Sequence, residues 1–179
     1  MNFHLRPAQE NDIKTLVRLV NSVYRGEEAK KSWTTEADLL EGLRIDESTL
    51  QALIQNPNHT ILVLENHESG ALLGCVELEK SEPGVYRLGL LSVVASEQRS
   101  GLGTHLLTSA ESYARKELHA QKIEMSVVSV RKELLDWYFR RGYKLNGKSY
   151  PFSGEATRLS SFKKEPLFFV VLEKIFDHL

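Results

Sequence analysis

The stretch Gln98-Arg99-Ser100-Gly101-Leu102-Gly103-Thr104 decides the fold, because it joins an apolar strand-like run, Arg87 to Ala95, to an amphipathic helix. Two glycines let the main chain turn tightly and approach a ligand, and the first N–H groups of the following helix have no partners within it. Those donors sit at the positive end of the helix dipole and attract an anion, so the stretch predicts a phosphate cradle. A dinucleotide fingerprint needs a third glycine three residues after Gly103, where Leu106 stands. A nucleoside-triphosphate loop needs Gly-Lys-Ser/Thr after four intervening residues, and the chain has no such run. Nicotinamide, flavin and ATP are thereby disfavoured as the ligand.

Working backward, Tyr86 to Ala95 reads as a strand after the Glu82-Pro83-Gly84 turn. Thr60 to Glu65 and Ala71 to Lys80 read as an antiparallel pair joined by the polar turn Asn66 to Gly70. Strict alternation along the second would place Leu73, Cys75 and Glu77 on one face, and Leu72, Val76 and Leu78 on the other. Phe3 to Arg6 predicts a first strand. Asn11 or Asp12 then caps a helix over Ile13, Leu16, Val17, Val20, Val23 and Tyr24, which Gly26 interrupts. Thr35-Glu36-Ala37-Asp38 resembles a capping box opening a helix over Leu39, Leu40 and Leu43. Asp46 caps another with Leu50, Leu53 and Ile54, ended by Asn56-Pro57-Asn58.

Working forward, Leu102, Leu106, Leu107, Ala110, Tyr113, Ala114 and Leu118 form one broad helical face. Ile123 to Val130 is a strand, and its position after a strand and a crossover helix places it parallel to Tyr86 to Ala95. Lys132 to Arg141 is the last helix, closed by Gly142. Asn146 to Glu165 reads as a long ordered loop and Leu167 to Ile175 as a final strand.

Composition bounds the rest. At 179 residues and 41% hydrophobic, the chain predicts one domain over 1–179. With 23 basic against 24 acidic residues the formal charge is -1, which gives no global reason to expect nucleic acid or an anionic membrane. The one cysteine, Cys75, excludes an intrachain disulfide, and the six scattered histidines form no metal-ligand pair, so no metal is expected. With no long apolar run and no leader pattern, the expectation is a cytoplasmic protein without a membrane partner, as monomer or homodimer.

Three segments taken together resemble the GCN5-related N-acetyltransferase (GNAT) superfamily: Leu91-Ser92-Val93, the glycine loop, and Tyr138-Phe139-Arg140-Arg141-Gly142-Tyr143. The resemblance implies an α/β (α+β) GNAT fold. Its central, mostly antiparallel twisted sheet has six to seven strands flanked by helices, with a parallel splayed pair around the coenzyme. It implies acetyl-coenzyme A as co-substrate. The backbone of Leu91, Ser92 and Val93 would pair with the pantetheine arm, and Gln98, Arg99, Ser100, Gly101, Leu102, Gly103 and Thr104 would surround the pyrophosphate. Ala95 stands where the family often has proline, and Arg131 where many members carry asparagine, which puts that residue's usual coenzyme contact in doubt.

Acetyl transfer from a thioester to an amine needs a neutral amine, oxyanion stabilisation and a proton for the departing thiolate. A free alkyl amine has a pKa of about 10 and a thiol about 8.5, so both a base and an acid are useful. By resemblance Tyr138 is the acid. The family's glutamate before the coenzyme loop corresponds here to Gly89, which leaves Glu77 on the neighbouring strand as the candidate base and a surface carboxylate as its competing reading. Glu27 and Glu36 are further candidates for the base. Cys75 has no His or Asp neighbour to support an acetyl-cysteine intermediate, so direct transfer is favoured. Tyr24, Trp33 and Glu36, with the loop from Tyr150 to Glu155, are the candidate acceptor residues, since acidic groups suit a cationic amine. The leading expectation is acetylation of a small, amino-acid-like primary amine. A protein N-terminus or lysine as acceptor and a non-catalytic acetyl-coenzyme A-binding regulatory module are the alternatives.

Overall fold

The computed structural model describes residues 3–25, 29–30, 35–98, 100–152, 159–162 and 167–176. The strands are β1 (Phe3–Pro7), β2 (Leu40–Gly42), β3 (His59–Asn66), β4 (Leu72–Glu82), β5 (Val85–Val93), β6 (Lys122–Val128), β7 (Lys144–Pro151), β8 (Ser160–Phe162) and β9 (Phe168–Ile175). The helices are α1 (Ile13–Tyr24), α2 (Glu47–Gln55), α3 (Leu102–Lys116) and α4 (Lys132–Phe139). Seven strands form one sheet in the order β1-β3-β4-β5-β6-β9-β7, and β2 pairs with β8 beside it. Every neighbour in the large sheet is antiparallel except β5 and β6, which run parallel, as the crossover through α3 requires. Among the described residues no helix is long and apolar enough to cross a membrane.

Each face of the sheet is covered by the helices whose periodicity matches it. On one side Leu102, Leu106, Leu107, Ala110 and Ala114 of α3 and Leu134 and Tyr138 of α4 bury against Leu62, Leu64, Val76, Leu78 and Ile123. On the other, Leu16, Leu19 and Val20 of α1 and Leu50 of α2 bury against Ile61, Val63, Cys75 and Leu90. A fully buried leucine contributes about 1.5–3 kcal/mol, so these stripes hold the layers together. The Asp46 carboxylate caps α2 by accepting from the Thr49 N–H at 2.8 Å. Asp12 opens α1 differently: its carboxylate accepts from the Gln9 N–H at 2.8 Å and from Arg6 Nη1 at 2.8 Å, tying the helix start to β1.

Three expectations are corrected. Residues 39–43 do not form a helix. The Thr35 hydroxyl accepts only from the Ala37 N–H, which closes a turn, and Leu40–Gly42 then pairs with Ser160–Phe162. Three leucines over five residues are too few to hold a helix, and Gly42 at φ 92° favours the extended turn that follows. The span from Asn146 to Glu165 is not one loop, because β7 runs to Pro151 and β8 follows. β7 lies at the edge of the sheet and is exposed along nearly its whole length, so its sequence carries little apolar alternation. Finally, β4 does not alternate strictly. A register shift beside Leu64 and Glu65 sends Leu73 to the α3 face and Leu72 to the α1 face, reversing both assignments while leaving Cys75 and Glu77 as expected.

Candidate active site

β5 and β6 pair only at Val85/Lys122, Tyr86/Ile123 and Arg87/Glu124, and beyond Arg87 they separate. The separation coincides with a bulge in β5: between the Ser92/Cys75 and Gly89/Glu77 pairs, β5 spends one residue more than β4. Leu90 takes the extra position at φ 51°, a left-handed conformation that costs about 1–2 kcal/mol for a residue with a Cβ. Side chains hold it there. The Ser92 hydroxyl donates to the Leu90 carbonyl at 2.9 Å and the Cys75 thiol approaches the same oxygen at 3.6 Å. The Tyr24 hydroxyl donates to the Leu91 carbonyl at 2.6 Å, replacing one partner that the sheet withdraws.

The gap opens into a cleft of about 570 Å³ lined by Tyr24, Leu91, Val93, the glycine loop and α4. Gly101, at φ 88°, turns the chain into α3, and the Ser100 hydroxyl accepts from the Leu102 N–H at 3.4 Å. Among the described residues the N–H groups of Gly103 and Thr104 find no hydrogen-bond partner, which leaves donors facing an anion position. The hydroxyl of Ser100 donates to the Glu97 carbonyl at 2.6 Å. The Gln98 side chain donates to the Val93 carbonyl at 3.0 Å, which locks the end of β5 to the loop. Arg99 lies outside the described residues.

The end of α4 reaches the same cradle. The Arg141 guanidinium stacks at 3.7 Å on the Trp137 ring, donates to the Trp137 carbonyl at 2.8 Å and donates to the Thr104 hydroxyl. Its buried Nε has no partner. Trp137, Arg140 and Arg141 line the cleft although sequence reasoning passed over them. The signal was present: a pair of arginines beside an aromatic residue, inside a motif already singled out.

Tyr138 is buried against Trp137 and Tyr143, edge to face at 5.0 and 5.7 Å. Its hydroxyl makes no hydrogen bond within the protein, yet it is not sealed from the cleft. Burial pushes the phenol above its ordinary range, so it keeps its proton.

On the other face of the sheet, Glu77 is not the surface carboxylate of the competing reading. Its side chain is 15% exposed and its Oε1 lies 2.7 Å from His59 Nδ1. Burial pushes its pKa up, with His59 opposing. Gly89 lies opposite, and a Cβ there would stand 3.0 Å from Glu77 Oε2. The carboxylate thus fills the space that a side chain at position 89 would occupy. Cys75 is buried one pair further along, with its thiol pushed up to about 12 by desolvation, which makes it a poor nucleophile.

Glu36 is also not a free anion awaiting a cationic amine. Its carboxylate is bound by Arg25 and, at 3.2 Å, by Arg131, all three side chains being largely buried. Arg131, at the start of α4, therefore ties that helix to the segment before β2. Trp33, Glu27 and residues 153–158 lie outside the described residues. Tyr150 lies on β7, its hydroxyl hydrogen-bonded to Ser126 of β6. Among the described residues no group of three or more His, Cys, Asp and Glu side chains could hold a metal ion.

Residues 19–143 match the acetyltransferase (GNAT) family. No protein of curated function matches the sequence. Among solved structures, the chain is similar to a protein provisionally described as a phosphinothricin N-acetyltransferase, at 15% identity over 98% of this chain and 99% of that one, TM-score 0.73. It is similar to spermidine N-acetyltransferase from Vibrio cholerae in complex with CoA and spermine, at 15% identity over 97% and 95%, TM-score 0.70. A third is a GNAT-family acetyltransferase from Streptococcus pneumoniae, at 16% identity over 97% and 99%, TM-score 0.65. At such identities the likeness establishes the fold: a mixed sheet opened at one parallel pair, with a glycine turn at the opening. With the family's sequence pattern running from within α1 to the residue before β7, the chain belongs to the GNAT acetyltransferase family.

Proposed function

We propose that residues 1–179 act as one catalytic domain that acetylates the primary amine of a small, amino-acid-like molecule directly from acetyl-coenzyme A. One observation carries this reading. The unpaired N–H groups at the start of α3, the opened edge of β5 and the accessible Tyr138 hydroxyl all border a single cleft. The cradle suits a pyrophosphate, since the Gly101 turn, the free donors of Gly103 and Thr104 and the nearby Arg140 and Arg141 all favour negative charge.

When bound, acetyl-coenzyme A supplies an acetyl thioester. The chain's residues do the rest. Leu91, Ser92 and Val93 present the strand edge along which an extended arm aligns, and an N–H there stabilises the developing oxyanion. Glu77 takes a proton from the acceptor ammonium, directly or through water. Tyr138, protonated at neutral pH, gives its proton to the departing sulfur. Tyr24 supports the Leu91 carbonyl, and Glu36 acts by fixing Arg25 and Arg131 at the acceptor side rather than by meeting the amine itself. The Vibrio cholerae relative is described with spermine, a small amine, which supports a small acceptor.

The test is thiol release from acetyl-coenzyme A across a panel of amines, amino acids and peptides, preceded by thermal unfolding with the coenzyme. At a hundred times its dissociation constant the coenzyme should stabilise the fold by about 2.7 kcal/mol. Absence of any shift at saturation defeats the reading. Turnover confined to peptides redirects it to a protein acceptor, and stabilisation without turnover of any amine redirects it to a regulatory module.

A further inference from the structure

We propose that His59 is a positioning residue for the acetyl transfer, holding the Glu77 carboxylate with one oxygen tied back and the other directed over Gly89 toward the acceptor. The inference rests on the reading of Glu77 as the base and adds the residue that makes it one.

The geometry is specific. The first residue of β3, His59 is fixed from behind by the turn that ends α2: its N–H donates to the Asn56 carbonyl at 3.0 Å, and the Lys80 N–H donates to the Asn58 carbonyl at 2.7 Å. The β3/β4 register pairs His59 with Glu79 and Ile61 with Glu77, so the imidazole reaches Glu77 diagonally on the α1 and α2 face. Both side chains are about 85% buried, from exposures of 14% and 15%. An ionised carboxylate can only accept, so Nδ1 carries the proton of the 2.7 Å contact when Glu77 is charged. Oε1 is then occupied. Oε2 has no partner, is not sealed from water and lies above a residue with no side chain.

The charged groups that bear on Glu77 are few. His59 and, at longer range, Arg44 favour its ionised form, while Glu79 on the same strand opposes it, itself facing Arg87 of β5 at 3.9 Å. Among the described residues, His59 is the one in contact. Proton transfer balances simply: one N–H bond of the acceptor ammonium breaks, one O–H bond forms at Oε2, and the amine lone pair is released for attack. His59 neither gains nor loses a proton in that step.

The experiment is the pH profile of kcat/KM for a single acceptor, so that the amine's own titration stays constant, in the wild type and in Glu77→Gln, His59→Ala and His59→Gln. Loss of His59 should move the acid limb up by about one pH unit, the size of effect expected when a contacting group that favours a carboxylate is removed. The plateau kcat should fall severalfold with little change in KM for acetyl-coenzyme A. His59→Gln, whose amide can still donate to Oε1, should recover most of the plateau and return the acid limb toward its parent position, and His59→Leu, which has no donor, serves as the test protein if His59→Ala does not fold by circular dichroism. An unmoved acid limb in folded His59→Ala or His59→Leu, with Glu77→Gln inactive, overturns the role of His59 and leaves the base in place. Full activity in Glu77→Gln overturns both.

Discussion

One wall of the cleft is a nearly continuous stretch, Leu91 to Thr104, with Tyr138 added from α4 and Arg141 from just beyond it. The residues proposed to serve the acceptor, Tyr24, Glu36, His59, Glu77 and Arg131, come from five separate segments and are held by contacts between them. The first works through backbone donors made available by a turn and a helix start. The second works through buried side-chain pairs that exist only once the sheet has formed. A backbone site tolerates most side-chain changes but not a change of turn conformation, whereas a side-chain site fails when any one partner is removed.

The largest effect should come from Glu36→Gln. It removes the carboxylate between two largely buried guanidiniums, and breaking such a set by deleting one partner costs about 3 kcal/mol or more. A urea midpoint should register that loss, and the KM for the acceptor should rise while the coenzyme affinity holds. If stability falls without any change in acceptor KM, the two sides of the cleft are less separate than the contrast requires.

Next is Tyr138→Phe, which should lower kcat about a hundredfold, or about 2.7 kcal/mol, as expected for a general acid. Coenzyme binding by calorimetry should remain nearly intact, because the ring still packs on Trp137 and Tyr143. An unchanged kcat would remove Tyr138 from the chemistry.

A smaller effect is expected at the turn itself. Gly101→Val forces a β-branched residue to φ 88° and should weaken acetyl-coenzyme A binding about tenfold, about 1.4 kcal/mol. Acceptor KM at saturating coenzyme should not change. A variant that binds normally would show that the free helix donors, rather than the turn, define the cradle.

The smallest lies far from both walls. Arg6 holds the Asp12 carboxyl below its ordinary range, so this pair contributes stability above about pH 4 and loses it as pH falls through the lowered value. Asp12→Asn should therefore be less stable than the parent at pH 7, by about 1 kcal/mol for a pair whose side chains are 25% and 9% exposed, and the gap should narrow as pH falls below about 4. Activity at pH 7 should be unaffected; a loss would mean that the start of α1 transmits to Tyr24.

Legibility followed the same division. The two helices α2 and α3 could be read because Asp46 provides a cap and because leucines recur on one face, both local properties. The parallel pairing of β5 with β6 followed from the crossover length. β2 could not be read, since three residues become a strand only when β8 arrives from more than a hundred positions away. Nor could the reversed faces of Leu72 and Leu73, because one extra residue in a ladder leaves no mark in composition.

What the sequence determined by itself is the glycine-loop half: a strand, two glycines and an amphipathic helix in that order leave N–H groups at the helix start without partners. What the tertiary structure alone decided is the setting of the two carboxylates, Glu36 and Glu77. Whether Glu77 lies at the surface or against His59, and whether Glu36 is a free anion or the centre of an arginine pair, depends on strand register and on segments distant along the chain. Backbone donors are set by local dihedral angles, but the state of a side-chain carboxylate is set by whichever charges and apolar groups the fold brings against it.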